Sequence, residues 1–151
     1  MPNTHGYMLT WTTYGTWLQG DARGFVKNGI TYSGDPCLEF VNKKAQIQPS
    51  IYLNKTQRRI VQEAIIKKAQ TIKHTVRAIA VQKDHIHLVL NYIHIPIYKI
   101  VAWHKTTARR ALKEYGFTGK LWTKGYDKRY CFDAETLQRR IEYVEKHNQI
   151  I

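Results

Sequence analysis

The sequence predicts an α+β fold, because strand-like and helix-like segments alternate along its 151 residues. Their order is a strand, a helix, a two-stranded hairpin, a second helix and a terminal helix. Two short segments before the last helix, Leu121–Trp122 and Tyr130–Phe132, are candidates for a further strand or an ordered loop. This order is typical of a ferredoxin-like antiparallel sheet flanked by helices. We expect residues 1–151 to form a single domain.

The first half of the chain supplies a strand, a long loop and a helix. The β-branched and aromatic residues between Tyr7 and Thr13 predict the first strand. Residues 14–36 contain five glycines and predict a long surface loop. Asn54 is a suitable cap for a helix that begins at Lys55. Its buried stripe is expected to contain Ile60, Ala64, Ile65 and Ala69.

The second half begins with the hairpin. Thr75–Gln82 and His85–Tyr92 have the composition of strands, and the two residues between them suit a tight turn. Pro96 then favours the first turn of a helix that ends before Gly116. The core side of this helix is expected to contain Ile97, Ile100, Val101, Ala108 and Leu112.

The last helix is predicted from Ala134 to about Asn148, with Asp133 as its cap. Its buried side is marked by apolar residues at helical spacing, namely Leu137, Ile141 and Val144. Tyr143 and His147 are four residues apart, so they are neighbours on the helix surface, roughly 80–120° from that stripe. We expect both side chains at the edge of the core, where they can face a groove.

The charge of the chain favours a polyanionic partner. Lys and Arg outnumber Asp and Glu by 24 to 11, which gives a formal net charge of +13. Ten tyrosines and four tryptophans point to nucleic acid, since aromatic rings stack on unpaired bases. The candidate DNA contacts lie in the glycine-rich loop and on the second helix: Arg23, Lys27, Lys99, Lys105, Arg109, Arg110 and Lys113. His104 is expected on the same cationic surface, in solvent or facing phosphate.

No membrane association is expected. No run approaches the roughly 18 apolar residues of a membrane span, and Met1–His5 has no hydrophobic leader core. Cys37 and Cys131 are far apart and are not arranged as a metal pair. They are interpreted as free thiols in a reducing cytoplasm.

The segment from Asp84 to Leu90 carries the strongest indication of chemistry. On a strand, His85 and His87 point to one face while Ile86 and Leu88 point to the other. Two imidazoles held side by side on a strand form half of a metal site.

The terminal helix can complete that site. His147 would be a third imidazole ligand, and Tyr143 beside the ion could supply a phenolate nucleophile for a phosphodiester. The eleven acidic residues are scattered, so the sequence has no carboxylate group suited to a two-metal nuclease.

These motifs resemble those of the HUH single-tyrosine transposases of the IS200/IS605 type, especially the relatives that act on repetitive extragenic palindromes. The resembling segments are Leu9–Leu18, Gly20–Gly24, Asp84–Leu90, Leu121–Arg129 and Ile141–Asn148. The resemblance implies Mg²⁺ or Mn²⁺ bound by the paired histidines, the final-helix tyrosine as nucleophile, and a hairpin-forming single-stranded DNA substrate. Enzymes of this family cut one strand, hold the 5′ phosphate on tyrosine and rejoin it to another 3′ end.

The sequence departs from the family at one ligand position. The fourth residue after the tyrosine is typically Gln or Asn in these transposases, whereas His147 stands here. Histidine is a competent and softer ligand, so the chemistry is expected to survive with a shifted metal preference.

Two other functions stay open at this point. A domesticated relative could hold structured DNA or RNA without cutting it, and a metal-dependent phosphoesterase could use water as its nucleophile. A monomer and a homodimer are also both open. In a homodimer, Tyr143 would be able to meet His85 and His87 of a second copy.

Overall fold

The computed structural model describes residues 4–27 and 30–149. The elements in chain order are β1 (Gly6–Thr12), β2 (Phe25–Lys27), β3 (Ile30–Tyr32), α1 (Pro36–Lys44), α2 (Lys55–Thr71), β4 (Val76–Val81), β5 (His85–Asn91), α3 (Ile97–Lys113), β6 (Asp127–Cys131) and α4 (Ala134–Gln149). Within the described ranges, no helix has the length and apolar character needed to cross a bilayer. The expectation of no leader rests in part on residues 1–3, which lie outside those ranges.

Four strands form one antiparallel sheet in the order β4-β5-β1-β6. With the two helices between them, the chain runs β1-α2-β4-β5-α3-β6, which is the ferredoxin-like arrangement. This confirms the predicted fold class. Strand β5 lies inside the sheet, hydrogen-bonded to β4 on one side and β1 on the other, so its side chains have a well-defined direction.

One face of the sheet carries the larger core and is covered by α2 and α3. The strands contribute Tyr7, Leu9, Trp11, Ile79, Val81, Ile86, Leu88 and Leu90 to this core. The helices contribute Val61, Ile65, Ile100, Val101, Ala108 and Leu112. The alternation along β5 therefore turns His85 and His87 away from this core, as predicted.

The opposite face is covered by α4, which packs mainly over β4. The predicted stripe of Leu137, Ile141 and Val144 is buried there, which confirms the helical pattern. The sheet contributes Met8, Ala78, Ala80, Val89 and Cys131 to this second, smaller core. The short side chains of Ala78 and Ala80 allow the helix to lie close to β4.

The segment between β1 and α2 contains more structure than the sequence predicted. A two-stranded hairpin, β2-β3, forms inside the predicted loop, and α1 follows it. Asp35 caps α1 by accepting hydrogen bonds from the backbone N–H groups of Cys37 and Leu38, and Pro36 occupies its first turn. None of the residues of α1 is buried, so no apolar stripe marks this helix in the sequence.

The predicted position of His104 is wrong. Its side chain is fully buried, because it lies four residues from both Ile100 and Ala108 and so continues the core stripe of α3. Burial lowers the pKa of His104 to about 4. A smaller difference occurs on α2, where Val61 is fully buried and Ile60 only partly.

Candidate functional site

His85 and His87 lie side by side on the α4 face of β5, with ring centroids 4.7 Å apart. His85 begins the strand directly after the tight turn, and its side chain is partly exposed. His87 is buried, and in the sheet it lies opposite Thr10 of β1 and Ala80 of β4. The strand therefore presents one imidazole near the surface and one just beneath it.

The end of α4 brings two more aromatic side chains to this pair. The ring of His147 lies 4.8 Å from that of His87 and 6.1 Å from that of His85, measured between centroids. The ring of Tyr143 lies 5.6 Å from His87 and 4.5 Å from His147. The four residues that the sequence nominated for metal binding and nucleophilic attack thus meet within one chain.

Two side-chain hydrogen bonds hold the last turn of α4 against the hairpin. Gln82 Nε2 donates to the carbonyl of His147 over 3.3 Å, and Asn148 Nδ2 donates to the carbonyl of Ile79 over 2.7 Å. Together with the apolar stripe further up the helix, these bonds determine where His147 and Tyr143 lie relative to β5.

Every imidazole in this cluster has a partner at Nδ1. His85 Nδ1 lies 2.8 Å from Asp84 Oδ1, His87 Nδ1 lies 2.8 Å from Thr10 Oγ1, and His147 Nδ1 lies 3.0 Å from the carbonyl of Tyr143. Carboxylate and carbonyl oxygens only accept hydrogen bonds, so Nδ1 carries the hydrogen in His85 and His147. Their Nε2 atoms then keep a lone pair for another partner.

The three histidines fit a divalent metal ion. Their candidate ligand nitrogens all lie within 4.8 Å of one another. This separation is slightly larger than roughly 4 Å, the greatest distance between two nitrogens that bind one ion at about 2.1 Å each. A ligating imidazole must be neutral. Burial, and then the nearby His85 and His147, lower the pKa of His87 to about 3, which keeps its ring neutral at ordinary pH.

Tyr143 lies at the solvent-exposed edge of the histidine cluster. The residue is 45% exposed, while its ring contacts His87 and His147 on the inner side. A phenol in this position can reach a large substrate without any rearrangement of the core.

The cationic residues of α3 lie on the opposite side of the sheet from the histidines, because α3 packs on the other face. Lys99, Arg110 and Lys113 are exposed. Lys105 is partly buried, and its Nζ donates to the carbonyls of Thr123 and Gly125 over 3.0 and 2.7 Å. Burial lowers the pKa of Lys105 to about 8. Arg109 Nε donates to the carbonyl of Gly119.

The glycine-rich loop lies close to the histidine cluster through its first residues. Thr16 Oγ1 lies 3.3 Å from the carbonyl oxygen of Asp84, and Arg23 donates to the carbonyl of Thr16 over 2.8 Å. The guanidinium of Arg23 also pairs with Asp21 over 2.7 Å and lies 3.8 Å from the ring centroid of Trp17. Lys27 is exposed on β2.

Two residues beside the histidines were not nominated from the sequence. Asp84 directly precedes His85, so this neighbour was visible as a carboxylate adjacent to an imidazole. Thr10 is 77 residues away from His87 and becomes its partner only through the pairing of β1 with β5. The local pattern around His87 does not show which distant strand pairs with β5, so it could not identify Thr10.

The sequence matches a known protein family. Residues 48–147 match the model of a family described as IS200-like transposases, which is more than half of the chain. No curated protein matches the sequence significantly.

Two solved structures resemble the fold. One is a REP-associated tyrosine transposase bound to a REP hairpin, with a TM-score of 0.58 and 11% sequence identity over 94% of this chain. This chain spans 65% of the length of that protein. The other is a candidate transposase from Deinococcus radiodurans, with a TM-score of 0.50 and 16% identity, covering 95% of this chain and 91% of that one. At these identities both comparisons establish the fold.

Proposed function

This chain belongs to the IS200-like transposase family, and from that premise we propose that it nicks and rejoins hairpin-containing single-stranded DNA by metal-dependent catalysis. The reaction passes through a covalent 5′-phosphotyrosine on Tyr143. The proposal includes the whole chain, residues 1–151, acting as a single transposase domain.

One observation carries the proposal. Three histidines suited to a divalent ion and a solvent-accessible tyrosine converge at one end of α4. A binding protein has no need for this combination, whereas phosphoryl transfer to tyrosine requires both parts. The convergence within one chain supports catalysis by a single copy, and a homodimer is compatible with it.

Four residues have separate roles in the proposed reaction. A divalent ion, Mg²⁺ or Mn²⁺, held by His85, His87 and His147 would polarise the scissile phosphate. Tyr143 Oη attacks the phosphorus, and the bond from phosphorus to the 3′ oxygen breaks. The phenol loses its proton to solvent, and the released 3′ oxygen gains one to become a hydroxyl. Because the phosphate stays esterified to Tyr143, attack by another 3′ hydroxyl can rejoin the strand.

The charge of the chain supports DNA as the substrate. The formal net charge is +13, and Lys99, Arg110 and Lys113 form an exposed cationic strip on α3. The similar transposase solved with a REP hairpin is consistent with a hairpin substrate here. Arg23, Lys27, Lys105 and Arg109 are further proposed contacts, of which Arg23, Lys105 and Arg109 already bond to backbone carbonyls. We place the reaction in the cytoplasm, where the free thiols of Cys37 and Cys131 stay reduced.

Covalent trapping tests the proposal directly. A labelled hairpin with single-stranded flanks is incubated with the protein and Mn²⁺, and a protein–DNA adduct is sought on denaturing gels. We expect the wild type to form the adduct and Tyr143→Phe to lose it by at least about 1,000-fold, since the nucleophilic oxygen is gone. Tyr98→Phe is the matched control, because Tyr98 is also exposed on a helix but lies on α3.

The other outcomes identify the competing functions. An adduct that persists in Tyr143→Phe excludes this tyrosine as the nucleophile. Cleavage without any protein-linked DNA indicates a phosphoesterase that uses water. Tight, salt-sensitive binding that is unaffected by EDTA, with no cleavage, indicates a domesticated binding protein.

A further inference from the structure

The histidine cluster has an outer layer of hydrogen-bond partners. The Asp84 carboxylate, the Thr10 hydroxyl and the Tyr143 carbonyl each contact one Nδ1 atom, at 2.8, 2.8 and 3.0 Å. The pattern is the same for all three rings, although the partners come from a turn, a neighbouring strand and the helix itself.

We propose that Asp84 and Thr10 are positioning residues that keep the hydrogen of His85 and His87 on Nδ1, so that three Nε2 atoms select a transition-metal dication over Mg²⁺. This inference rests on the proposed function, because it concerns the same site. It goes further by assigning two residues and by choosing between classes of metal ion.

Asp84 acts on His85 through a charged acceptor. A carboxylate that accepts from Nδ1 excludes the alternative tautomer, in which Nε2 would carry the hydrogen and could not bind a cation. The turn holds the carboxylate in place, because the backbone carbonyl of Asp84 accepts from Thr13 N at 2.9 Å. A mutation of the side chain therefore leaves the backbone contact of the turn intact.

Thr10 acts on His87, which is the most buried of the three rings. A hydroxyl can donate or accept, so it is compatible with both tautomers. The tautomer with the hydrogen on Nδ1 leaves the Nε2 lone pair free for a cation shared with His85 and His147. In the opposite tautomer, the Nε2 hydrogen would occupy the position of that cation. We assign Thr10 as the acceptor.

The identity of the ligand atoms then decides the class of metal. Neutral imidazole nitrogens favour first-row transition ions, with an affinity that increases from Mn²⁺ to Co²⁺ to Ni²⁺. Mg²⁺ instead prefers carboxylate, carbonyl and water oxygens. The carboxylate of Asp84 lies beside the cluster, but it is directed to His85 Nδ1. The cluster therefore offers three nitrogens and no carboxylate oxygen within the described residues.

Calorimetric titration of the metal-free full chain with MgCl₂, MnCl₂ and CoCl₂, without DNA, tests this assignment. We expect Mn²⁺ to bind at least about tenfold more tightly than Mg²⁺, and Co²⁺ more tightly still. Asp84→Ala and Thr10→Val should each weaken Co²⁺ binding by about 10- to 100-fold. Asp84→Asn and Thr10→Ser are the matched controls, because each keeps an acceptor atom and should retain most of the affinity.

A second measurement reads the tautomers without any metal. Long-range ¹H–¹⁵N spectra of the metal-free protein should show the hydrogen of His85 and His87 on Nδ1. In Asp84→Ala the tautomer population of His85 should shift towards the tautomer with the hydrogen on Nε2. Thr10→Val should cause the same shift in His87.

The results separate this inference from the proposed function. Wild-type Co²⁺ affinity in both Asp84→Ala and Thr10→Val, or Mg²⁺ binding as tight as Co²⁺ binding, overturns the assignment. Tyr143→Phe should bind Co²⁺ like the wild type, since its phenol is not a ligand. If the predicted selectivity is found but no DNA adduct forms, the metal assignment stands and the strand-transfer proposal fails.

Discussion

Both faces of the sheet carry buried or half-buried histidines, but the surroundings of these histidines differ between the two faces. On the α4 face, His85, His87 and His147 all have an Nδ1 partner and lie beside an exposed tyrosine. On the α2/α3 face, His104 is enclosed in the apolar core, and within the described part of the chain neither of its ring nitrogens has a hydrogen-bond partner. His74, near it, bonds the carbonyl of Asn91 through Nε2.

This difference shows what distinguishes a candidate ligand from a core residue. Burial lowers the pKa of both His87 and His104, so a low pKa alone does not mark a functional site. Orientation by a partner at one nitrogen, with convergence of the other nitrogens, separates the first group from the second. Two predictions test this contrast, and a third tests how the end of α4 is held beside the histidines.

The largest effect is expected from replacing one histidine on each face. His87→Ala should reduce strand transfer by at least about 100-fold and weaken Co²⁺ binding, because it removes the central imidazole of the cluster. His104→Leu should leave both unchanged, since its ring lies on the other side of the sheet. Adduct formation and calorimetry on both variants measure this, and equal losses would contradict the distinction between the two faces.

The second effect concerns stability in acid. In the unfolded chain His104 takes up a proton near its ordinary pKa of 6.5, whereas in the folded protein burial lowers that pKa to about 4. Between these values the unfolded state binds more protons, so the free energy of unfolding falls as the pH decreases from about 6.5 to about 4. For His104 this loss should reach roughly 3 kcal/mol.

Denaturant unfolding of wild type and His104→Leu between pH 7.5 and 4 measures this loss. The two proteins should have similar stability at pH 7.5, and the variant should become the more stable one as the pH decreases. His74, whose pKa burial also lowers, acts in the same direction and stays in both proteins. If the free energy of unfolding changes with pH in the same way for both proteins, His104 takes up its proton equally in the folded and the unfolded state.

The smallest effect is expected at the end of α4. Gln82→Ala combined with Asn148→Ala removes two hydrogen bonds to backbone carbonyls, each worth about 1 kcal/mol. We expect adduct formation to slow about fivefold to tenfold, because the last turn of α4 is less often in place beside the histidines. The apolar stripe stays intact, so the melting temperature should change by only a few degrees.

Arg139→Ala is the control for that double variant. Arg139 pairs with Glu135 on the solvent side of the same helix, and exposed pairs of this kind contribute little. A wild-type rate in the double variant would show that the apolar stripe alone positions Tyr143 and His147.

Local sequence patterns determined the parts of this protein that depend on neighbours in the chain. Strand alternation placed His85 and His87 on one face, and helical spacing placed Tyr143 and His147 together beside the stripe of Leu137 and Ile141. The cap at Asn54 and the tight turn before His85 were predicted for the same reason, and α3 begins at Ile97, directly after the proline that was predicted in its first turn. Hydrogen-bonding and packing preferences over a few residues are sufficient for each of them.

Long-range packing decided what those patterns left open. The pairing of β1 with β5 made Thr10 the partner of His87, and the docking of α4 over Ala78 and Ala80 brought Tyr143 to the histidines of its own chain. The same packing enclosed His104, because α3 turned the stripe that contains it towards the larger core. Residue spacing determines which side chains share a face, but which faces meet depends on burying apolar surface between segments far apart in the chain.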